Sequence, residues 1–594
     1  MRWVPRPTDH IKAERLAASS GISPLMARLL VARGIEEAAG AARFLSPSLS
    51  DLHSPSLMLG LTLAVDRLAA AIAARERILI FGDYDVDGTT AVVILKIAIE
   101  LCSGTAEFHI PHRIRDGYGI QDDVVERAAA SGVTLMISVD TGIRAFSAAA
   151  TARRLGVDLI VTDHHLPQAS EGVPAAFAVL NPSQAGCGYP CKSLCGAGVA
   201  FKLAQALLEK IRGAAEGARL LPSFLKMVAI ATIADAVPLT GENRVFVRLG
   251  LEGLRHPVNP GLKALLRVAG LQQSSRLNPA DIGFRLAPRL NAAGRMDVAQ
   301  DVIELFTSKD EARVAELALK LDQLNGERQQ EEARILKEIY QRLDEDTSAS
   351  QAHCIVIDGV GWHRGVIGIT ATRVVERYCR PTLVIAHDGE DAHGSGRSLP
   401  CFHLLEALES CGELFQRFGG HAHAVGFALP GKRVPQLRAA MIAFAGSRLT
   451  PEDLLPMLRV DAEIALHEVT PALLRDLRQL EPFGHGNPEP VFVARGCRVA
   501  TPPKIMRDIH MKLRLLPNPA PAHPGKPLDA LGWRMAERVQ KEKILAGDVV
   551  DVAFKVEENE HPDFGGLQIN ICDFVRAGES AQEPDGLVSE AILR

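Results

Sequence analysis

The sequence predicts an α/β protein: a parallel-sheet domain, a second α/β domain reached through one long helix, and a C-terminal β-barrel. Three observations carry that prediction. From Ile78 onward short apolar runs alternate with helical stretches (ILIFGD, TTAVVILKIAIEL, VTLMISVD, DLIVTDHH), which is the βαβ signature of a parallel sheet. The stretch DEARVAELALKLDQLNGERQQEEARILKEIYQRL keeps helical apolar spacing, without an internal Pro, far beyond an ordinary helix. From about Leu455, Pro-punctuated runs such as PVFVARG, MKLRLL, DVVDVAFKV and LQINICDF read as the short strands of a small barrel.

Taken in chain order, the elements follow from local chemistry. GISPLMARLLVARGI has apolar positions three and four apart, with Ser23 as a cap before Pro24, so residues 1–70 are expected to form a helical lead-in. The first α/β domain is expected over 71–308 and the connecting helix over 309–345, broken near Asn325 and Gly326. HCIVIDG, the turn GWHRGVIGI, PTLVIAH, GSGRS and GGHAHAVGF restart the α/β pattern over 346–450, and the barrel takes 451–594, with PNPAPAHPGK as a loop or hairpin tip.

Composition limits the class. The 594 residues correspond to about four domains at about 150 each. With 47% hydrophobic and 23% charged residues, the chain is globular, neither disordered nor collagenous. Ten cysteines scattered over this length read as reduced thiols, not a secreted scaffold. There is no apolar run approaching the roughly 18 residues of a membrane span, and MRWVPRPTDHIKAERL has no signal core, so a cytoplasmic protein without membrane association is expected. A net charge of -5 excludes a uniformly basic nucleic-acid binder but leaves room for a local basic groove.

The predicted strands of the first domain end in acidic or imidazole residues: Asp83, Asp85 and Asp87, then Asp140, then Asp163, His164 and His165. In open α/β sheets, sites form at the carboxyl ends of strands. The D-x-D-x-D-G run at Asp83 is not an EF-hand, because its twelfth position is Ile94 where a Glu is required and its flanks are strand and helix. The candidate metal ligands are Asp85, Asp87, Asp140, His164 and Asp235, the last from AIATIADAVPL, with Asp83 beside them. Carboxylates with one imidazole suit manganese or magnesium, and the absence of a thiolate argues against structural zinc. One carboxylate such as Asp140 can bridge two divalent cations, an arrangement that hydrolyses phosphoesters. Of the adjacent histidines, one can ligate and the other can hydrogen-bond the phosphate or act as an acid. Cys187, Cys191 and Cys195 recur every four residues but match no zinc or iron–sulfur spacing, and a structural origin is expected.

The triplet Asp163-His164-His165, with D-x-D-G at Asp85 to Gly88 and V-D-T-G at Asp140, resembles the DHH superfamily of phosphoesterases. FGDYDVDGTTA, IPHRIRDGYGI, SVDTGI, LCGAGVAFKL, ADAVPL, APRLNAAGRM, GWHRGVIGI, SGRS, GGHAHAVGF and EPFGHGNPEP are similar to RecJ-family segments over most of the chain. The resemblance implies a DHH catalytic domain, linking helix, DHH-associated domain and OB-fold. It implies one ion held mainly by Asp85 and Asp140, and another by Asp87, Asp140, His164 and Asp235, with Asp83 and His165 close by. It further implies an exonuclease that removes mononucleotides from the 5′ end of single-stranded DNA in repair and recombination. The chain would be a monomer, near single-strand-binding protein and a helicase. Val425, and the Ala371-Thr372-Arg373 run, depart from the family pattern without touching the ligand set.

A nucleic-acid substrate needs further phosphate contacts, and Gly-rich or turn-like segments offer Arg113, Arg289, Arg295, Arg373, Ser395 with Arg397, and His421. Arg495, Arg498, Lys504, Arg507, Lys512 and Arg514 form a basic stretch on barrel strands, suited to tracking a strand backbone. Stacking platforms are sparse at 5% aromatics; Phe483 and Phe492 are weak candidates, each expected in the core. A small-oligonucleotide or cyclic-dinucleotide phosphodiesterase, or a pyrophosphatase, needs the two α/β domains but not an OB-fold. A non-enzymatic scaffold would have lost its ligands, which here are all present.

Overall fold

The computed structural model describes residues 1–113, 115–117, 119–168, 170–274, 276–296, 299–517, 526–559 and 565–578. They divide into two compact units. Residues 48–454 with 484–486 form a central unit; residues 1–47, 455–483 and 487–594 form a terminal unit, which begins with strand β1 (Arg2–Pro5).

In the central unit, β2 (Arg77–Gly82), β3 (Ala106–His109), β4 (Val133–Val139), β5 (Asp158–Thr162) and β6 (Ala178–Leu180) form an all-parallel sheet in the order β3-β2-β4-β5-β6. The order reverses between β2 and β4, so the topological switch point lies at their carboxyl ends, where a doubly wound sheet opens a crevice. Ile78 to Gly82 of β2 are buried on both faces, as expected of a strand covered by helices on either side. The helix Val86–Leu101 is apolar nearly all round and buried accordingly.

The helix Glu311–Glu345 runs unbroken for 35 residues, so the expected break at Asn325 and Gly326 does not occur. A helical glycine costs only about 1 kcal/mol, which packing at both ends outweighs. Leu317 and Leu321 enter the core of the first α/β domain, while Ile335, Ile339 and Leu343 enter that of the second. Asn325 is buried and accepts a 2.8 Å hydrogen bond from Arg328. Beyond it, β7 (Ile355–Val360), β8 (Thr382–Asp388), β9 (Asp391–Arg397), β10 (Arg417–Gly420) and β11 (Ala424–Pro430) form a mixed sheet, β10-β11-β9-β8-β7, parallel only at β7–β8.

In the terminal unit, β12 (Met457–Val460) pairs in parallel with β1. There follow β13 (Ala462–Glu463), β14 (Phe492–Val499), β15 (Lys504–Met506), β16 (His510–Pro517), β17 (Leu528–Gly532), β18 (Val549–Asn559) and β19 (Gly566–Arg576). The pairing β14-β18-β19-β17-β16 closes through β14–β16 into a five-stranded barrel, the architecture of an OB-fold. Residues 518–525 of PNPAPAHPGK lie outside the described residues.

The expected separate lead-in over 1–70 is divided by the structure. Leu16, Leu29, Leu30 and Phe44 share one core with barrel residues Phe492, Val552 and Phe574, whereas Leu61, Val65 and Leu68 pack into the core of the first α/β domain. The reason is size: helices of 11, 8 and 8 residues cannot bury an apolar face on one another alone. Polar ties reinforce the join, Trp3 Nε1 donating to Asp573 at 2.6 Å and Arg33 Nε to Asn487 at 2.8 Å. Phe492 is fully buried and Phe483 packs against the same core. No single helix among the described residues is long and apolar enough to cross a membrane.

Candidate metal centre and adjoining cleft

The switch point collects the acidic residues. Asp85 caps the helix Val86–Leu101, its carboxylate accepting from Gly88 N at 3.0 Å. Asp87, in the first turn, accepts from Gly196 N at 2.5 Å and Ala197 N at 2.7 Å, at the start of the helix Gly196–Arg212. Asp140 follows β4 with φ 60, in the left-handed region. Only a glycine fits at 196, since a Cβ there would stand 2.5 Å from Asp140 Cβ. Gly294 of NAAGR is required likewise: a Cβ would lie 2.3 Å from the Tyr84 carbonyl oxygen, so that helix packs directly on the acidic loop.

Asp163, first of the DHH triplet, is a positioning residue. Its carboxylate accepts from the backbone N–H groups of Ile143, His164 and His165 (2.9, 2.7 and 3.1 Å) and meets His165 Nδ1 at 2.7 Å. That fixes His164, whose Nε2 lies 3.2 Å from Asp140 Oδ1, 3.7 Å from Asp235 Oδ2 and 3.8 Å from Asp87 Oδ2. Donor atoms converge in three groups: Asp83, Asp85 and Asp140; Asp87, His164 and Asp235; and Asp140, His164 and His165. All six residues expected at the centre are thus brought together, with Asp140 in two of the groups.

Burial, then the charge of neighbouring carboxylates, holds Asp83, Asp140 and Asp235 well above the ordinary aspartate range. Burial raises Asp87 as well. Asp83 Oδ1 is buried without a hydrogen-bond partner among the described residues. A crowded all-oxygen set with one imidazole and a buried carboxylate oxygen to spare fits hard divalent cations. No thiolate belongs to these groups; Cys191 and Cys195 are buried and Cys187 is half-buried, all three as free thiols.

This crowding predicts a pH signature in the chelated protein. Carboxyls raised on folding contribute stability at low pH that is lost as pH climbs from the ordinary value of 3.8 through their raised values. The melting temperature in chelator is therefore expected to fall by several degrees from mild acid to pH 8. Millimolar manganese should abolish most of that slope, which calorimetry at matched pH reads directly.

Beside the centre lies a cleft of about 830 Å³, lined by Asp163 and His165 on one side and by β9, β10 and their neighbours on the other. Among the expected substrate residues, Arg113, Arg295, Ser395, Arg397 and His421 line it. Arg289 and Arg373 do not. Arg289 pairs with Asp322 at 2.8 Å, and Arg373 with Glu376 at 3.0 Å and Glu332 at 3.4 Å, so both serve helix packing. Sequence reasoning missed Arg144, Arg364, Arg417 and His393, which also line the cleft. A signal existed for three: Arg144 directly follows VDTGI, Arg364 lies in GWHRG, and Arg417 precedes FGGH.

The cleft is strongly cationic. Burial, then Arg113 and Arg397, pushes Arg295 down to about 9, and burial with Arg113 lowers Arg397. Arg397 donates to Ser395 Oγ at 3.2 Å and to Gly396 O at 2.8 Å. His165 is pushed up to about 9: burial opposes its charge, but the hydrogen bond and charge of Asp163 outweigh it. His421 stacks near His165 at 6.5 Å and is lowered by burial and by that neighbour's charge.

A switch-point cluster of carboxylates and histidines on a doubly wound sheet, followed by a second α/β domain, defines the DHH class of proteins. Residues 77–232 match the DHH family, N-terminal domain, 351–447 the DHHA1 domain and 460–573 the RecJ OB domain. The single-stranded-DNA-specific exonuclease RecJ of Bacillus subtilis (strain 168) is 37% identical over 576 residues, 96% of this chain and 70% of that protein. Its Escherichia coli (strain K12) namesake is 33% identical over 569 residues, 93% of this chain and 95% of that one. The crystal structure of RecJ in complex with Mn2+ from Thermus thermophilus matches with TM-score 0.81 at 28% identity, covering 99% of this chain and 80% of that one. A Mg2+ complex of the same protein matches with TM-score 0.75 at 27% identity, covering 98% and 78%. The chain belongs to the RecJ family.

Proposed function

We propose that this protein is a divalent-metal-dependent exonuclease that degrades single-stranded DNA from the 5′ end to mononucleotides, in repair and recombination. The observation that carries this reading is the apposition of a carboxylate–histidine centre with an arginine-lined cleft. The chemistry needs both. In our reading Asp85 and Asp140, with Asp83 beside them, would hold one manganese or magnesium ion, and Asp87, Asp140, His164 and Asp235 would hold the other. Such a pair of ions, when bound, lowers the pKa of water and stabilises the attacking and leaving oxygens at phosphorus.

The protein's own groups supply the rest. Asp163 keeps His165 protonated at neutral pH, so its imidazolium can donate to the scissile phosphate and give a proton to the departing 3′ oxygen. Water attacks phosphorus, the P–O3′ bond breaks, and the first nucleotide leaves with a free 3′ hydroxyl. The shortened strand begins with a 5′ phosphate, which the Arg113, Arg295 and Arg397 group is suited to receive again. The same reading carries a cytoplasmic monomer acting near single-strand-binding protein and a helicase.

The test is manganese-dependent digestion of single strands labelled at either end. A 5′ label should appear at once as mononucleotide, while a 3′ label shortens in steps. The opposite pattern would overturn the assigned polarity, and equal cleavage of duplex would overturn the strand preference.

A further inference from the structure

We propose that Trp533 is a base-stacking platform for single-stranded nucleic acid on the outer face of the barrel. The proposal rests on the substrate read above and deepens it.

Trp533 stands out by exposure. It is 50% exposed, whereas Trp3 and Trp362 are 8% and 3% exposed and the barrel's Phe492, Phe554 and Phe574 are fully buried. Strand alternation explains the direction of its side chain. Met511, Leu513 and Leu515 of β16 and Ala530 of β17 point into the barrel core, so the intervening His510, Lys512, Arg514 and Leu531 face outward. With Met511 opposite Gly532, the next pair along that outer face is His510 and Trp533. Their rings meet at 4.7 Å and 82°, and the Arg534 backbone N–H donates to His510 Nδ1 at 3.0 Å. The indole is thus held in place while half its surface stays open.

The surroundings select the occupant. Register sets Lys504 opposite Lys512, and the exposed Arg507 and Arg534 flank the tip. Asp529 is shared between Lys512 at 2.7 Å and Arg514 at 3.6 Å, which leaves the face net positive. An aromatic plane among cations suits a polyanion whose bases offer π-faces, since cations follow the phosphates while a ring stacks on a base. A docked protein would call for a broad apolar surround, whereas here the exposed Ile509 and the outward-facing Leu531 stand among Lys504, Arg507, Lys512, Arg514 and Arg534.

The experiment uses the full chain with manganese. On an oligothymidylate of about 30 nucleotides, Trp533→Ala is expected to raise KM about tenfold, while kcat is retained and Trp533→Phe recovers most of the loss. A second strand keeps the same 5′-terminal nucleotides but carries base-free sugar-phosphates beyond them. On it, wild type and Trp533→Ala should have the same KM. In chelator, oligothymidylate should quench the tryptophan fluorescence of the wild type and not that of Trp533→Phe. An equal KM rise on both strands would mean a structural role, and no rise on either would mean that the platform serves something other than nucleic acid; both results overturn the proposal. Failure of the wild type to digest any strand would instead overturn the exonuclease reading, with the quenching still deciding on Trp533.

Discussion

Asp140→Ala is expected to lower strand hydrolysis to about a thousandth of wild type or less in saturating manganese. Asp140 belongs to two of the three donor groups, so its loss disables both at once. No neighbour substitutes, because Asp83, Asp85, His164 and His165 already stand in those two groups. Stability separates chemistry from folding. At φ 60 alanine incurs the left-handed penalty of about 1 kcal/mol that aspartate and asparagine bear more easily, so Asp140→Asn is the cleaner variant. In chelator near pH 8, Asp140→Asn should melt above wild type, because it removes a buried charge facing Asp87, Asp85 and Asp83. Retention of more than about a tenth of the rate would end the bridging assignment.

Arg397→Ala is expected to abolish most of the preference for 5′-phosphorylated over 5′-hydroxyl strands, by about thirtyfold in kcat/KM. Arg397 is half-buried beside Arg113 and Arg295, and burial together with their mutual repulsion lowers Arg295 and Arg397. A terminal phosphate would relieve that repulsion, whereas a hydroxyl would not. The metal centre lies on the other domain, so manganese binding measured by calorimetry should be unchanged. Matched oligonucleotides differing only in that phosphate provide the measurement. A preference that survives intact would move the pocket to Arg113 and Arg144. Arg289, an alternative on sequence grounds, is committed to Asp322.

The acidic constellation was legible because its members sit at the ends of apolar elements: Asp83 follows ILIFG, Asp140 follows VTLMISV and Asp163 follows DLIVT, while Asp85 and Asp87 open the apolar helix that begins at Val86. Such residues need no long-range information to be placed, since a parallel sheet brings all its strand ends to one edge. The positioning role of Asp163 was less visible, because it depends on the backbone of Ile143 from a different strand end. The arginines show where local reading fails. Arg295 and Arg289 lie in one run, PRLNAAGR, yet one reaches the cleft while the other turns to the long helix.

By itself the sequence determined the order of layers, which is a parallel βαβ region, a long helix, a second α/β region and a barrel, and it pointed to an oxygen-rich candidate ligand set. These rest on periodicity and on motifs whose members are near neighbours in the chain. Only the tertiary structure decided that the first 47 residues complete the barrel's core, that Glu311–Glu345 is continuous through Gly326, and that Trp533 stays outside. Those outcomes turn on which apolar face finds a partner and which guanidinium finds a carboxylate. The first is settled by contacts between residues as far apart as Trp3 and Asp573, the second by pairings between elements such as Arg289 with Asp322, and local propensity carries no information about either.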